Sequence, residues 1–223
     1  MKPYQSVPIA ESGDPLMPIP ADLFKFVTPH PYALLGADYG GRSPYFLREV
    51  VLRRLIAAQL ALQNEQPELM LQIFDAYRPI RVQQFMVDYT FAQLKGDRQL
   101  DNATEKEVWQ EVYRFWAVPS DNPDTPPPHS TGAAIDVTLV QLDGTPLDMG
   151  GKIDEIGDHS HPNFYEYSPN PLERRYHLNR VLLHNTMTKA GFAQHPNEWW
   201  HFSYGDQMWA WQKQKAIAHY GKI

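Results

Sequence analysis

Two short stretches, Pro128-His129-Ser130-Thr131-Gly132-Ala133-Ala134-Ile135-Asp136 and Asn197-Glu198-Trp199-Trp200-His201, constrain this chain more than any other part of it. Both set charged or ligating side chains among apolar neighbours. An ionised carboxylate beside Ile135 and Val137 is costly unless it is paired or bound to a metal, and Glu198 at the edge of an aromatic run needs a partner for the same reason. A fold that brings the two stretches together satisfies both. Open catalytic zinc sites take three nitrogen or oxygen ligands and leave the fourth position to water, and His129, Asp136 and His201 supply such a set. Glu198 is then placed to act as general base of a metal-dependent hydrolase. The chain has no cysteine, which excludes disulfides and thiolate zinc sites, so any zinc must be held by His and carboxylate.

The spacings add conditions. His129 and Asp136 are seven apart, an odd separation that would send them to opposite faces of a straight strand. A turn is needed between them, and Gly132 can supply it because it tolerates backbone angles that a β-carbon forbids. Glu198 and His201 are three apart, so both can face one ion if the turn after Pro196 delivers Glu198 from outside a strand that contains His201. Arg78 follows Asp75 and precedes Pro79. Its fixed charge suits an ion pair with Asp75 and equally suits a developing oxyanion, and spacing leaves both open. His159 and His161 share a strand periodicity but sit in a polar loop beside Asp158 and Pro162, where exposure is the cheaper explanation. His30, His177, His184, His195 and His219 have no carboxylate arrangement that stands out. His-Glu-x-x-His, Gly-x-Ser-x-Gly and glycine-rich phosphate loops are absent from the sequence.

Around these stretches the pattern predicts an α+β fold. Residues 1–44 are rich in Pro, Gly and Tyr and read as an extended arm packed down without regular elements. Leu47, Val51, Leu55, Ala58 and Leu62 recur at helical spacing up to about Asn64, and Leu69 to Phe74 reads as a buried strand. Helices are expected after Pro79, over about Thr104 to Trp116, over Leu172 to Ala190, and from about Asp206 to His219. The proline-rich residues 118–128 form a stiff loop leading into a strand from Ala133 to Leu142. Residues 143–170 are too long for a passive connector and make a candidate lid, and Phe192 to His195 with Trp199 to Tyr204 reads as a closing hairpin. With 223 residues, 43% hydrophobic, the chain suits one domain over 1–223 with a small, mainly antiparallel sheet carrying the zinc site and helices flanking it. The net charge of −6 comes without a basic stripe, which argues against nucleic acid as a partner. No apolar run has the length of a signal peptide or a membrane span, so a cytoplasmic location without membrane partners is the default expectation.

Taken together, four segments resemble the zinc D-alanyl-D-alanine dipeptidases of the vancomycin-resistance type, which belong with the D-Ala-D-Ala metallopeptidase, lysostaphin and hedgehog group. They are Asp75-Ala76-Tyr77-Arg78-Pro79, His129 to Leu139, Met149-Gly150-Gly151-Lys152-Ile153-Asp154, and Gly191-Phe192 followed by Glu198-Trp199-Trp200-His201. The resemblance covers about residues 70 to 204. It implies one zinc on His129, Asp136 and His201, with Glu198 as catalytic base and Arg78 stabilising the tetrahedral intermediate. It also implies that Asp154 holds the free amino terminus of a small dipeptide, with Ser160 near that pocket. One departure is Pro127, where the family commonly carries a serine. Two other readings use the same residues: a D,D-carboxypeptidase or endopeptidase acting on cell-wall peptides, and a zinc-containing binding module without turnover. Asp154 speaks against the first, since an acylated nitrogen gains nothing from a carboxylate, and Glu198 with Arg78 speaks against the second, since zinc binding needs neither.

Overall fold

The computed structural model describes residues 2–96 and 103–223. At its centre is a five-stranded sheet in the order β2-β4-β5-β7-β6, formed by Lys25–Phe26, Leu69–Asp75, Ala134–Gln141, His201–Ser203 and Ala193–Gln194 in that order. All pairings are antiparallel except β2 with β4, which is parallel. A second, two-stranded sheet pairs β1 (Leu16–Pro18) with β3 (Phe46–Arg48). The mixed α+β class with a small, mainly antiparallel sheet is the class the sequence predicts.

Alternation along the strands separates two faces. Ile135, Val137 and Leu139 of β5 join Leu69, Leu71 and Ile73 of β4 and Phe202 of β7 in the main core, and helices α2 (Glu49–Glu65) and α5 (Pro171–Lys189) cover that side. Leu47, Val51, Leu55, Ala58 and Leu62 are buried there, as their spacing predicts. Asp136 and Thr138 belong to the other face. On that side α3 (Ile80–Lys95) and α4 (Glu105–Phe115) build a second apolar cluster from Val82, Met86, Val112 and Trp116, together with Tyr32 and Tyr39 from the amino-terminal region.

The β4–β5 ladder contains an irregularity that matters for the site. Ile73 pairs with Val137, but the next aligned pair is Asp75 with Asp136, so two residues of β4 span one step of β5. This is a β-bulge, and it leaves Phe74 packed against the second cluster while Asp75 lies level with Asp136.

Three expectations need correction. Residues 1–44 are not devoid of regular elements: they contain β1, β2, a short helix α1 (Pro31–Leu34) and a 3-10 turn at Pro3–Ser6. The helix does not begin at Leu47, because Phe46–Arg48 pairs with β1 and Arg48 N–H donates to the Gly132 carbonyl at 2.9 Å. The last helix, α6, covers only Gln207–Gln212. Gln214 takes a left-handed φ of 54°, and Ala218 instead exchanges backbone hydrogen bonds with Pro8 and Ala10. Among the described residues, no helix is long and apolar enough to cross a membrane.

Candidate metal centre and its cavity

The segment Pro128–Thr131 forms a 3-10 turn that ends at Gly132 with φ 71°, and β5 starts two residues later. That left-handed residue changes the chain direction, so His129 on the turn and Asp136 inside the strand address the same point. A β-carbon at Gly132 would lie 2.6 Å from a Leu16 methyl, so a larger residue would add displacement of that side chain to the strain of the positive φ. His201 reaches the point by register, since β7 pairs with β5 and places His201 directly opposite Asp136.

The three side chains form a closed triangle. His129 Nε2 is 3.1 Å from His201 Nδ1 and 3.2 Å from Asp136 Oδ2, and His201 Nδ1 is 3.0 Å from Asp136 Oδ1. Ligand atoms roughly 2.0–2.2 Å from a tetrahedral zinc lie roughly 3.3–3.6 Å from one another, so the triangle needs little adjustment to receive the ion. Tautomer chemistry agrees. His129 Nδ1 lies 2.7 Å from the Ala76 carbonyl, which it can meet only as a donor, and this leaves the Nε2 lone pair aimed into the triangle. His129, Asp136 and His201 are the one cluster among the described residues able to hold a metal; His159 and His161 do not contribute. Burial works against the charge on Asp136, but His129 and His201 outweigh it and hold the carboxyl well below its usual range. Burial instead keeps His201 below the usual imidazole value, as a ligand requires.

Arg78 is fixed beside this triangle on every side. Its Nε donates to Asp75 Oδ2 at 2.7 Å, Nη1 to Gln83 Oε1 at 2.9 Å, and Nη2 to the Tyr32 hydroxyl at 3.1 Å and Asp136 Oδ2 at 3.4 Å. Its backbone is tied to the metal segment as well, with Ser130 Oγ donating to the Arg78 carbonyl and Arg78 N–H to the His129 carbonyl. Both sequence readings of Arg78 are therefore compatible: the ion pair with Asp75 orients a guanidinium that also faces the metal ligands. Asp75 is fully buried and has two further contacts, His30 Nε2 at 3.2 Å and the Tyr39 hydroxyl at 3.3 Å.

Glu198 sits in the turn before β7 and is 9% exposed. Its carboxyl oxygens lie 3.7 Å from His195 Nδ1 and 3.9 Å from His201 Nδ1. Burial, then the charges of Asp136 and Asp154, push this carboxyl well above the usual range. A divalent cation on the ligand triangle opposes that repulsion, which links metal loading to ionisation of Glu198. His195 is pushed well below the ordinary imidazole value, by burial first and then by His201 and Lys2, so it stands beside Glu198 as a neutral ring.

Asp154 completes the polar wall. Its φ of 64° is unusual for a residue with a β-carbon, and its Oδ2 accepts a 2.5 Å hydrogen bond from the Tyr32 hydroxyl. Burial and the Asp136 charge raise its carboxyl to about 7, against the pull of Arg78. The 143–170 segment that carries it is anchored to α5, with Arg180 donating to the Met149 carbonyl at 2.7 Å and to the His161 carbonyl at 2.8 Å. Asp154 and Glu155 of this segment line the metal cavity, about 50 Å³ in volume. Ser160 does not reach that cavity; its hydroxyl donates to the Glu155 carbonyl, and its own carbonyl accepts from Trp199 N–H.

The sequence reading passed over Tyr32, His30, Tyr39 and His195. His195 left one usable signal, because it lies three residues before Glu198 and the Pro196-Asn197 step between them is a turn that brings the two together.

Two imidazoles and a carboxylate with an open side, a separate buried glutamate and a clamped arginine define a zinc hydrolase of the open-site kind. The chain belongs to the D-ala-D-ala dipeptidase family, whose profile matches residues 25–220. It is 50% identical to a D-alanyl-D-alanine dipeptidase of Synechocystis sp., covering 100% of this chain and 97% of the relative. It is also 46% identical to a D-alanyl-D-alanine dipeptidase of Escherichia coli, over 33% of this chain and 36% of that protein. Among solved structures, the LdcB LD-carboxypeptidase is similar in fold, with a TM-score of 0.50 and 15% identity over 92% of this chain and 76% of that one.

Proposed function

We propose that this protein is a zinc-dependent dipeptidase that hydrolyses D-alanyl-D-alanine, or closely similar small dipeptides with a free amino terminus. The observation that carries this reading is Asp154, a half-buried carboxylate held by Tyr32 in the same narrow cavity as the metal triangle. A substrate ammonium is the group whose binding such a carboxylate favours most. A residue held at positive φ, with its hydroxyl partner brought from more than a hundred residues away, is an expensive arrangement for a wall with no binding role.

His129, Asp136 and His201 would hold the zinc, which when bound supplies Lewis-acid polarisation of a water and of the scissile carbonyl. Glu198 takes the proton from the attacking water and returns it to the leaving amine. Arg78 presents Nη2 to the region where the carbonyl oxygen gains negative charge, and its fixed contacts mean that little reorganisation is needed as that charge develops. Asp154 fixes the ammonium and thereby places the carbonyl relative to Glu198. Ser160 supports this wall through Glu155, one residue from Asp154. The test compares cleavage of D-Ala-D-Ala and N-acetyl-D-Ala-D-Ala by zinc-loaded protein. Preference for the free amine is expected. Equal rates would move the carboxypeptidase reading into first place.

A further inference from the structure

The cavity has an acidic end whose role is accounted for, and a lysine whose role is not. Lys2 lines the same cavity as Asp154, Glu198 and His201. It is held there by the amino-terminal turn: its N–H donates to Gln5 Oε1 at 2.8 Å, Tyr4 behind it is buried, and Gln207 of α6 donates to the Val7 carbonyl at 2.7 Å. Among the described residues no carboxylate pairs with the Lys2 ammonium, and the ion contacts of Glu198 run to His195 and His201 instead. Burial lowers the lysine, with Glu198 opposing, as expected of a cation drawn from water without a partner.

A dipeptide with a free amino terminus also carries a carboxylate, which must lose hydration to enter this cavity, and an unpaired buried charge is strongly disfavoured. Of the two cations that line the cavity, Arg78 is clamped by Asp75, Gln83, Tyr32 and Asp136 beside the metal triangle, where the proposed reaction uses it for the carbonyl oxygen, which leaves Lys2 for the carboxylate. The prolines 126–128 that lead into the metal turn offer no side-chain donor. We infer that the Lys2 ammonium receives the carboxylate of the dipeptide and so makes the site selective for a free carboxyl terminus. This rests on the dipeptidase reading and adds a second recognition point to it, so that the two ends of a zwitterion are read by Asp154 and Lys2 with the metal between them.

The experiment is a cycle of wild type, Lys2→Gln and Lys2→Arg against D-Ala-D-Ala and its carboxyl-terminal amide, with zinc content measured for each protein. Lys2→Gln is expected to raise KM for the free acid by about 10–100-fold with kcat little changed, to alter amide kinetics less than about twofold, and to be largely rescued by arginine. Equal losses on acid and amide, or a displaced pH profile at constant KM, would assign Lys2 to tuning Glu198 and overturn the inference. Unchanged kinetics on both substrates would overturn it too. If wild-type, zinc-loaded protein fails on the free dipeptide, the dipeptidase reading itself falls and takes the inference with it.

Discussion

The two sides of the cavity are built by opposite strategies. On one side, Asp136 and His201 face each other across adjacent strands, and backbone pairing fixes their separation before any ion arrives. On the other side, the first 44 residues contribute Tyr32 from the four-residue helix α1 and His30 and Tyr39 from the loops that flank it, held mainly by what those side chains touch. The sheet supplies ligands and the arm supplies hydroxyls and rings that orient Asp75, Arg78 and Asp154. On the proposed assignment of roles, metal binding is separable from substrate placement, and substitutions on the two sides should fail in different ways.

The largest effect is expected from His201→Ala, which should abolish zinc binding and reduce turnover to background, read by metal analysis beside an activity assay. The far-ultraviolet circular dichroism should be retained, because the β5–β7 pairing is a backbone interaction. Loss of the fold instead would mean that the metal centre and the sheet are a single cooperative unit. Next in size, Glu198→Gln should keep zinc and lower kcat by about 10²–10⁴-fold; near-normal turnover in a zinc-loaded variant would remove Glu198 from the chemistry.

Substitutions on the substrate side should leave the metal in place. Asp154→Asn, which tolerates the left-handed backbone, should lower kcat/KM for the dipeptide by about 10–150-fold. The same residue predicts a pH dependence. Asp154 must be ionised to hold an ammonium, so kcat/KM should fall as pH drops through the region at or below about 7, and Asp154→Asn should lack that limb. The smallest effect is expected from Tyr32→Phe, about 2–12-fold on KM. Since the tyrosine hydrogen bond favours the charged carboxyl, its loss should also move the acid limb to higher pH. A Tyr32→Phe protein that loses zinc would break the division between the two sides.

The same division decides what could be read without coordinates. His129, Asp136, Glu198 and His201 stand out because charge among Ile, Val, Trp and Phe demands an explanation, and Gly132 supplies the turn that their spacing needs. The long helices declare themselves by period. Lys25–Phe26 is too short for alternation to register, and it is a strand only because β4 lies beside it. Phe46–Arg48 continues the apolar spacing of α2 yet pairs with β1, a tertiary interaction that overrides the local pattern. His30 looks unpartnered along the chain because Asp75 is 45 residues away, and Tyr32 because Asp154 is 122 residues away.

A strand in a two-faced sheet behaves like a binary counter, with odd and even positions assigned to different environments. The extra residue in β4 acts as a parity change in that counter. Up to Ile73 the odd positions serve the core beneath α2 and α5, and an uninterrupted count would send Asp75 there as well. With Phe74 taken up in the bulge, the next odd position emerges level with Asp136 and brings Arg78 with it. One additional residue therefore lets a single strand work first as structural wall and then as part of a charged site. Any redesign that idealises this ladder while keeping Phe74, so that Phe74 pairs with Asp136 and Asp75 moves one step on, would keep a plausible sheet while turning the anchor of the arginine toward the wrong compartment.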